Sequence, residues 1–152
     1  MAMEKGRYIP LLTPCNNKLF HLLNQGFYEL RVDMSDFENE TRYVKYSSIS
    51  LKDEASKYTI NLSGFSGNVG DCFTSLNNMK FSTKDQDNDL YGNSCSVLYK
   101  GGWWYGGCHC ANPNGLYLKG ATSFFAQGVT YNNWLGQYYS LKSIQFMVRR
   151  VV

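Results

Sequence analysis

From Lys84 to about Asn114 the chain reads KDQDNDLYGNSCSVLYKGGWWYGGCHCANPN, and neither a helical nor a strand period is sustained across it. A stretch this long without regular structure is uncommon in a compact domain, and where it occurs it is usually functional or held by a clip. The fold must therefore build a regular framework from the other residues and pin this segment to it. The segment carries its own candidate pins: Asp85, Asp87 and Asp89, the adjacent Trp103 and Trp104, and Cys95, Cys108 and Cys110.

Zinc is a poor pin on spacing. Cys108-His109-Cys110 has no matching Cys/His pair elsewhere, and Cys95 alone cannot supply one. A Cys95–Cys108 disulfide closing a compact loop is the plainer reading, and it implies an oxidising compartment. The N-terminal MAMEKGRYIPLLTPC lacks a long apolar core followed by a small-residue cleavage site. Either a signal has been removed or the chain is a piece of something longer. No stretch is apolar enough for a membrane span, so membrane insertion is not expected.

The framework is legible on either side. NNKLFHLLNQ (16–25) predicts a short helix stopped by Gly26. In FYELRVDMSDF, Tyr28, Leu30, Val32 and Met34 alternate with Glu29, Arg31 and Asp33, as in a half-buried strand. TRYVKYSSISL (41–51) and YTINLS (58–63) continue the β-pattern across a polar KDEASK turn. GFSGNVGD reads as a glycine-rich connection, and CFTSLNNM as one or two helical turns. SLKSIQFMVRR restores alternation as a closing strand. The fold class is α+β, an antiparallel sheet with short helices and a loop-rich second half. At 152 residues this is one domain. A net charge of +3 without like-charge blocks does not suggest nucleic-acid or acidic-membrane binding.

Asp85, Asp87 and Asp89 are hard oxygen donors at alternate positions in a turn, and Ca²⁺ is the natural neutralising partner. They do not begin an EF-hand, whose sixth and twelfth positions are Gly and Glu, because Leu90 and Ser96 stand there. The plain alternative is a solvated acidic turn. Cys95 and the neighbouring glycines favour metal.

Taken together, FSTKDQDND, Cys95, GGWWYGGCH, NPNGLYLKG and YYSLKSIQFMVRR resemble the C-terminal domain of fibrinogen-related proteins, from roughly Phe20 to Arg150. Within that family the resemblance is nearest to ficolins and tachylectins, secreted lectins that recognise acetylated sugars. It implies a fibrinogen C-terminal-like domain over 20–152, with 1–19 as an N-terminal segment partly outside the match and the family's N-terminal subdomain missing. It implies Ca²⁺ held by the carboxylates of Asp87 and Asp89 and the backbone carbonyls of Tyr91 and Asn93, with Asp85 either supporting these ligands from behind or structural. The family disulfide falls on Cys95–Cys108.

The resemblance also implies an acetyl-binding pocket at Tyr99, Cys108, His109, Phe125, Ala126 and Gln137. Aromatic rings there take the methyl, and backbone N–H groups of Cys108 and His109 take the carbonyl oxygen. The family often holds the peptide before the second cysteine in cis, here Gly107–Cys108. Three departures stand out. Phe125 replaces a usual tyrosine, and Gln137 replaces a usual aromatic. Cys15, Cys72 and Cys110 lie off the family's cysteine positions; Cys72–Cys110 is a possible pair, and at least one of the three is expected as a free buried thiol. A fibrin-type peptide hole uses acidic side chains where this chain has Tyr99 and Ala126, so it is not expected.

His109 is expected in the pocket and His21 as a structural residue. Of Trp103 and Trp104, at least one is expected to anchor the loop, and Trp134 and the tyrosines of YYS to be core. With two histidines there is no convincing nucleophile–base set, so no enzyme is expected. The primary expectation is a secreted, calcium-dependent, non-catalytic lectin-like module for acetylated glycans such as N-acetylglucosamine, used in innate pattern recognition and gaining avidity by oligomerisation. The alternative is a fibrinogen-like protein-interaction module for a receptor or matrix partner. It would keep the calcium site without binding sugar.

Overall fold

The structure is a computed structural model and describes residues 6–11 and 15–151. Part of the 1–19 segment therefore lies outside the described residues. Among the described residues there are seven strands: β1 (Ile9–Pro10), β2 (Tyr28–Ser35), β3 (Thr41–Leu51), β4 (Ile60–Gly67), β5 (Gly120–Ala121), β6 (Tyr139–Ser140) and β7 (Ser143–Arg150). The same residues form three helices: α1 (Asn16–Leu23), α2 (Cys95–Tyr99) and α3 (Asn132–Leu135). Single 3-10 turns lie at Glu54–Ser56 and Thr74–Leu76.

The main sheet has the order β1-β7-β2-β3-β4, and each pairing is antiparallel. The closing strand thus lands beside the first long one. Val32 pairs with Val44 on one side and Phe146 on the other, and Leu30 with Tyr46 and Val148. Because side chains alternate along a strand, this register gathers the apolar set on one face. Val32, Val44, Tyr46 and Val148 are wholly buried, and Leu19 and Leu23 of α1 join them in the core. β1 was not legible in the sequence, yet Ile9 and Pro10 pair with Val148 and Met147.

β4 extends to Gly67, into the first half of the glycine-rich segment 64–71 expected to be a connection. Gly64 makes this possible: its φ is +73°, and a Cβ there would lie 1.8 Å from Ser47 Oγ. The alternation stops at Leu62, because the residues beyond it are exposed.

Phe73 joins the sheet to the loop-rich half. Its ring meets those of Tyr46, Trp103, Tyr131 and Phe146 at 5.6–6.1 Å between centroids. These edge-on contacts add roughly 0.5–1.5 kcal/mol each beyond burial. Trp103 and Trp104 are both buried, and the Trp104 indole N–H donates to the Tyr58 carbonyl (2.8 Å), so both tryptophans anchor the loop. An apolar cleft of about 390 Å³ opens between α1, the sheet and these tryptophans; none of the expected site residues lines it.

Cys72 and Cys110 are bonded, with Cα atoms 5.2 Å apart, and tie the sheet side to the irregular segment. The expected free buried thiol is therefore corrected. Cys15 is the free cysteine among the described residues and it is exposed, because it precedes α1 outside the core. His21 is likewise exposed on α1, with its ring beside Phe20. Tyr138 is not core, being 55% exposed, and Trp134 is half-buried beneath the Arg42 guanidinium. The local sequence around both is aromatic, but β5 and β6 form a short surface ribbon and leave Tyr138 outside it.

Candidate functional site

α2 is the regular element inside the irregular segment. Ser94 caps it, its Oγ accepting the Val97 N–H, and Lys100 closes it at φ 76°. Its first residue is Cys95, bonded to Cys108 with Cα atoms 5.3 Å apart. The acidic loop is fastened to the same point. Asp89 Oδ2 accepts the Cys95 N–H (2.9 Å), Asp89 Oδ1 accepts that of Tyr91 (2.9 Å), and Asp87 Oδ1 accepts that of Asp89 (3.1 Å). The Leu90 N–H donates to the Gly106 carbonyl (3.0 Å), and the Gly106 N–H to that of Cys108 (3.1 Å).

Burial pushes the Asp89 carboxyl up, as does neighbouring Asp87; the N–H donors of Cys95 and Tyr91 oppose this. Among the described residues no Lys, Arg or His forms an ion pair with Asp85, Asp87 or Asp89. Two neighbouring carboxylates without a basic partner among the described residues, followed by the exposed residues Tyr91 and Asn93, suit a hard divalent cation completed by water and carbonyl oxygens. Asp85 does not complete the set. Thr83 Oγ1 donates to it (2.6 Å) and holds its carboxyl below the usual range, and no three Asp, Glu, His or Cys side chains gather for a metal among the described residues.

The expected pocket residues do come together. The Tyr99 ring meets His109 edge-on at 4.9 Å and Phe125 at 6.4 Å. His109 Nε2 lies 2.8 Å from the Ala126 carbonyl. A carbonyl only accepts, so Nε2 carries the proton. Burial holds the His109 pKa below its usual value, with the Ala126 carbonyl working the other way, so the ring is neutral near pH 7. Gln137 turns inward: its Nε2 donates to the His109 carbonyl (3.2 Å), while its backbone carbonyl accepts the Ala126 N–H (2.8 Å).

Two details differ from expectation. The Gly107–Cys108 peptide is trans, and the turn comes instead from Cys108, whose φ is 73°. The aromatic wall lost at Gln137 has a neighbour in Tyr138, whose ring is 5.4 Å from Phe125. Phe124, Phe125 and Tyr138 leave an exposed aromatic rim. Sequence reasoning also missed Asn112 and Tyr105. Both are buried and hydrogen-bonded to each other (3.1 Å), but Asn112 reads as an ordinary turn residue before Pro113-Asn114-Gly115.

In this arrangement an acidic loop and a group of aromatic side chains share one disulfide. The profile of the C-terminal globular domain of the fibrinogen beta and gamma chains matches residues 13–151, and this protein belongs to that family. It is 40% identical over 136 residues to Techylectin-5A of Tachypleus tridentatus, covering 90% of this chain and 47% of that protein. It is 40% identical over 139 residues to human Fibrinogen C domain-containing protein 1, covering 88% of this chain and 30% of that one. The chain thus spans less than half the length of these relatives. The fibrinogen-like globe domain of human ANGPTL2 superimposes with a TM-score of 0.87 at 36% identity, over 90% of this chain and 64% of that one. A lamprey fibrin D-dimer complexed with the peptide Gly-His-Arg-Pro-amide does so with a TM-score of 0.84 at 28% identity, over 95% and 54%.

Proposed function

We propose that this domain is a non-catalytic, calcium-dependent lectin-like module that binds acetylated carbohydrate outside the cell. The observation that carries the reading is the recess where Tyr99, His109 and Phe125 meet around Ala126. The rings of Tyr99 and Phe125 would take a methyl group, and the backbone polar groups beside them an oxygen. The relative at 40% identity that is named a lectin supports carbohydrate binding in general. Ca²⁺ would be held by Asp87, Asp89 and the carbonyls of Tyr91 and Asn93. Bound there, it would neutralise the paired carboxylates and stiffen the loop. The protein's own links then carry that stiffness to the recess: Asp89 to the Cys95 N–H, Cys95 to Cys108, and Cys108 to His109.

The test is retention of the folded protein on N-acetylglucosamine beads, with calcium and again after chelation. Retention lost on chelation and competed by free acetate is expected. Absence of retention by folded, calcium-loaded protein moves the assignment to a protein-interaction module. One observation favours that second reading: the Gln137 amide, bonded to the His109 carbonyl, occupies the place of an aromatic wall.

A further inference from the structure

Asn112 lies behind the recess, wholly buried, where a carboxamide needs partners for both its donors and its acceptor. Its Nδ2 is 2.9 Å from the Tyr99 carbonyl, 3.2 Å from that of Ala126 and 3.1 Å from that of Gly128. Its Oδ1 is 3.1 Å from the Tyr105 hydroxyl. Three carbonyls would repel Oδ1, so the amide has one allowed orientation. Its backbone N–H donates to the Thr130 carbonyl (2.9 Å), and its backbone carbonyl accepts from Gly115 (3.0 Å). One residue thus draws together the end of α2 and the 126–130 strip, the two segments that bring Tyr99 and Ala126 to His109.

The Ala126 carbonyl is shared, because His109 Nε2 reaches it at 2.8 Å. A carbonyl oxygen has two lone pairs, and here the Asn112 amide and the His109 ring both approach it. Ala126 is itself at φ 58°, a conformation that L residues adopt only when surrounding contacts impose it. His109 Nδ1, at the other side of the ring, is buried and has no hydrogen-bond partner among the described residues.

We propose that Asn112 is the positioning residue of this recess: through the shared Ala126 carbonyl it holds His109 as the Nε2–H tautomer, edge-on to Tyr99. The role in ligand binding rests on the lectin reading above; the role in fixing the ring does not. Without the amide, the carbonyls of Tyr99, Ala126 and Gly128 lose their common donor. The Ala126 carbonyl is then free to turn, and the ring loses the contact that selects its tautomer and its angle to Tyr99.

Long-range nitrogen–proton NMR of the imidazole, recorded on the parent protein and on Asn112→Ser, reads the tautomer directly. A merely structural role would lower the melting temperature without changing that signature. The expected result is Nε2–H in the parent and a tautomer mixture in Asn112→Ser. N-acetylglucosamine should bind the variant at least about tenfold more weakly. If Asn112→Ser does not fold, the parent still decides, by its tautomer and by cross-relaxation between the Asn112 carboxamide protons and the His109 Nε2 proton. An Nδ1–H ring in the parent, or an unchanged tautomer in the folded variant, overturns the proposal. A parent protein that ignores the sugar while its tautomer responds to Asn112→Ser removes the lectin reading and supports the positioning role.

Discussion

Asp89 accepts the backbone N–H of Cys95 at 2.9 Å, and Cys95 is bonded to Cys108, the residue before His109. The acidic loop and the aromatic recess are therefore joined through a carboxylate, one backbone donor and one disulfide. A change in the loop's charge balance acts on the recess by that route.

Asp87→Asn removes one carboxylate of the proposed calcium set. At calcium about a hundredfold above Kd, bound metal stabilises the fold by roughly 2.7 kcal/mol, or about 5–10 °C in Tm for a domain of this size. The variant should lose most of that shift in calcium and melt like the parent in chelator. Equal melting differences in both conditions would falsify the metal assignment.

Gln137→Tyr restores a ring beside Phe125 and removes the amide bonded to the His109 carbonyl. An added aromatic contact of about 0.5–1.5 kcal/mol corresponds to roughly a two- to twelvefold gain in affinity for N-acetylglucosamine. Calorimetric titration of both proteins measures it, and an unchanged affinity rejects the placement of the recess.

The Cys72–Cys110 bridge closes a loop with a sequence separation of 38. Chain-entropy reasoning gives it about 4 kcal/mol of stabilisation. The double variant Cys72→Ala/Cys110→Ala should therefore melt well below the parent. Peptide mapping without reduction should find Cys72 with Cys110, Cys95 with Cys108 and Cys15 free. A Cys15 disulfide in the map contradicts the pairing.

His109 is a base whose pKa in the fold is lowered by burial from 6.5. The unfolded state then binds the proton more readily than the folded one, so this group makes stability rise with pH. Its contribution is whole above about pH 6.5 and is lost as the pH falls below that value. Melting curves from pH 5 to 8 should show this loss in the parent and a shallower slope in His109→Gln. Identical slopes mean that His109 titrates as it does in water.

Much of this fold is written in local pattern. The alternation in 28–34 and 144–148 predicts β2 and β7, and the pairing of Leu30 with Val148 follows from burying both apolar sets on one face. β1 escaped because two exposed residues carry no period, and their strand character comes only from the edge of β7. β4 ran further than its pattern because Gly64 permits a backbone that no alternation reports. In the site, the Asp87–Asp89 spacing and the Cys95–Cys108 pair were visible as short-range chemistry. Asn112 was not, since its partners at 99, 126 and 128 are distant in sequence and present backbone carbonyls that every residue type possesses.

By itself the sequence determined the apolar faces of the long strands, the short α1, the acidic turn and the residue types of the recess. These depend on side-chain type at fixed intervals along the polypeptide, and the family resemblance added the positions they serve. Only the tertiary structure decided that Cys72 meets Cys110, that Cys15 and His21 stay outside, and that one carbonyl at Ala126 receives both His109 and Asn112. Those outcomes depend on which distant segments pack together, because the hydrogen-bonding capacity of a buried backbone group is spent on whatever neighbour the packing brings to it.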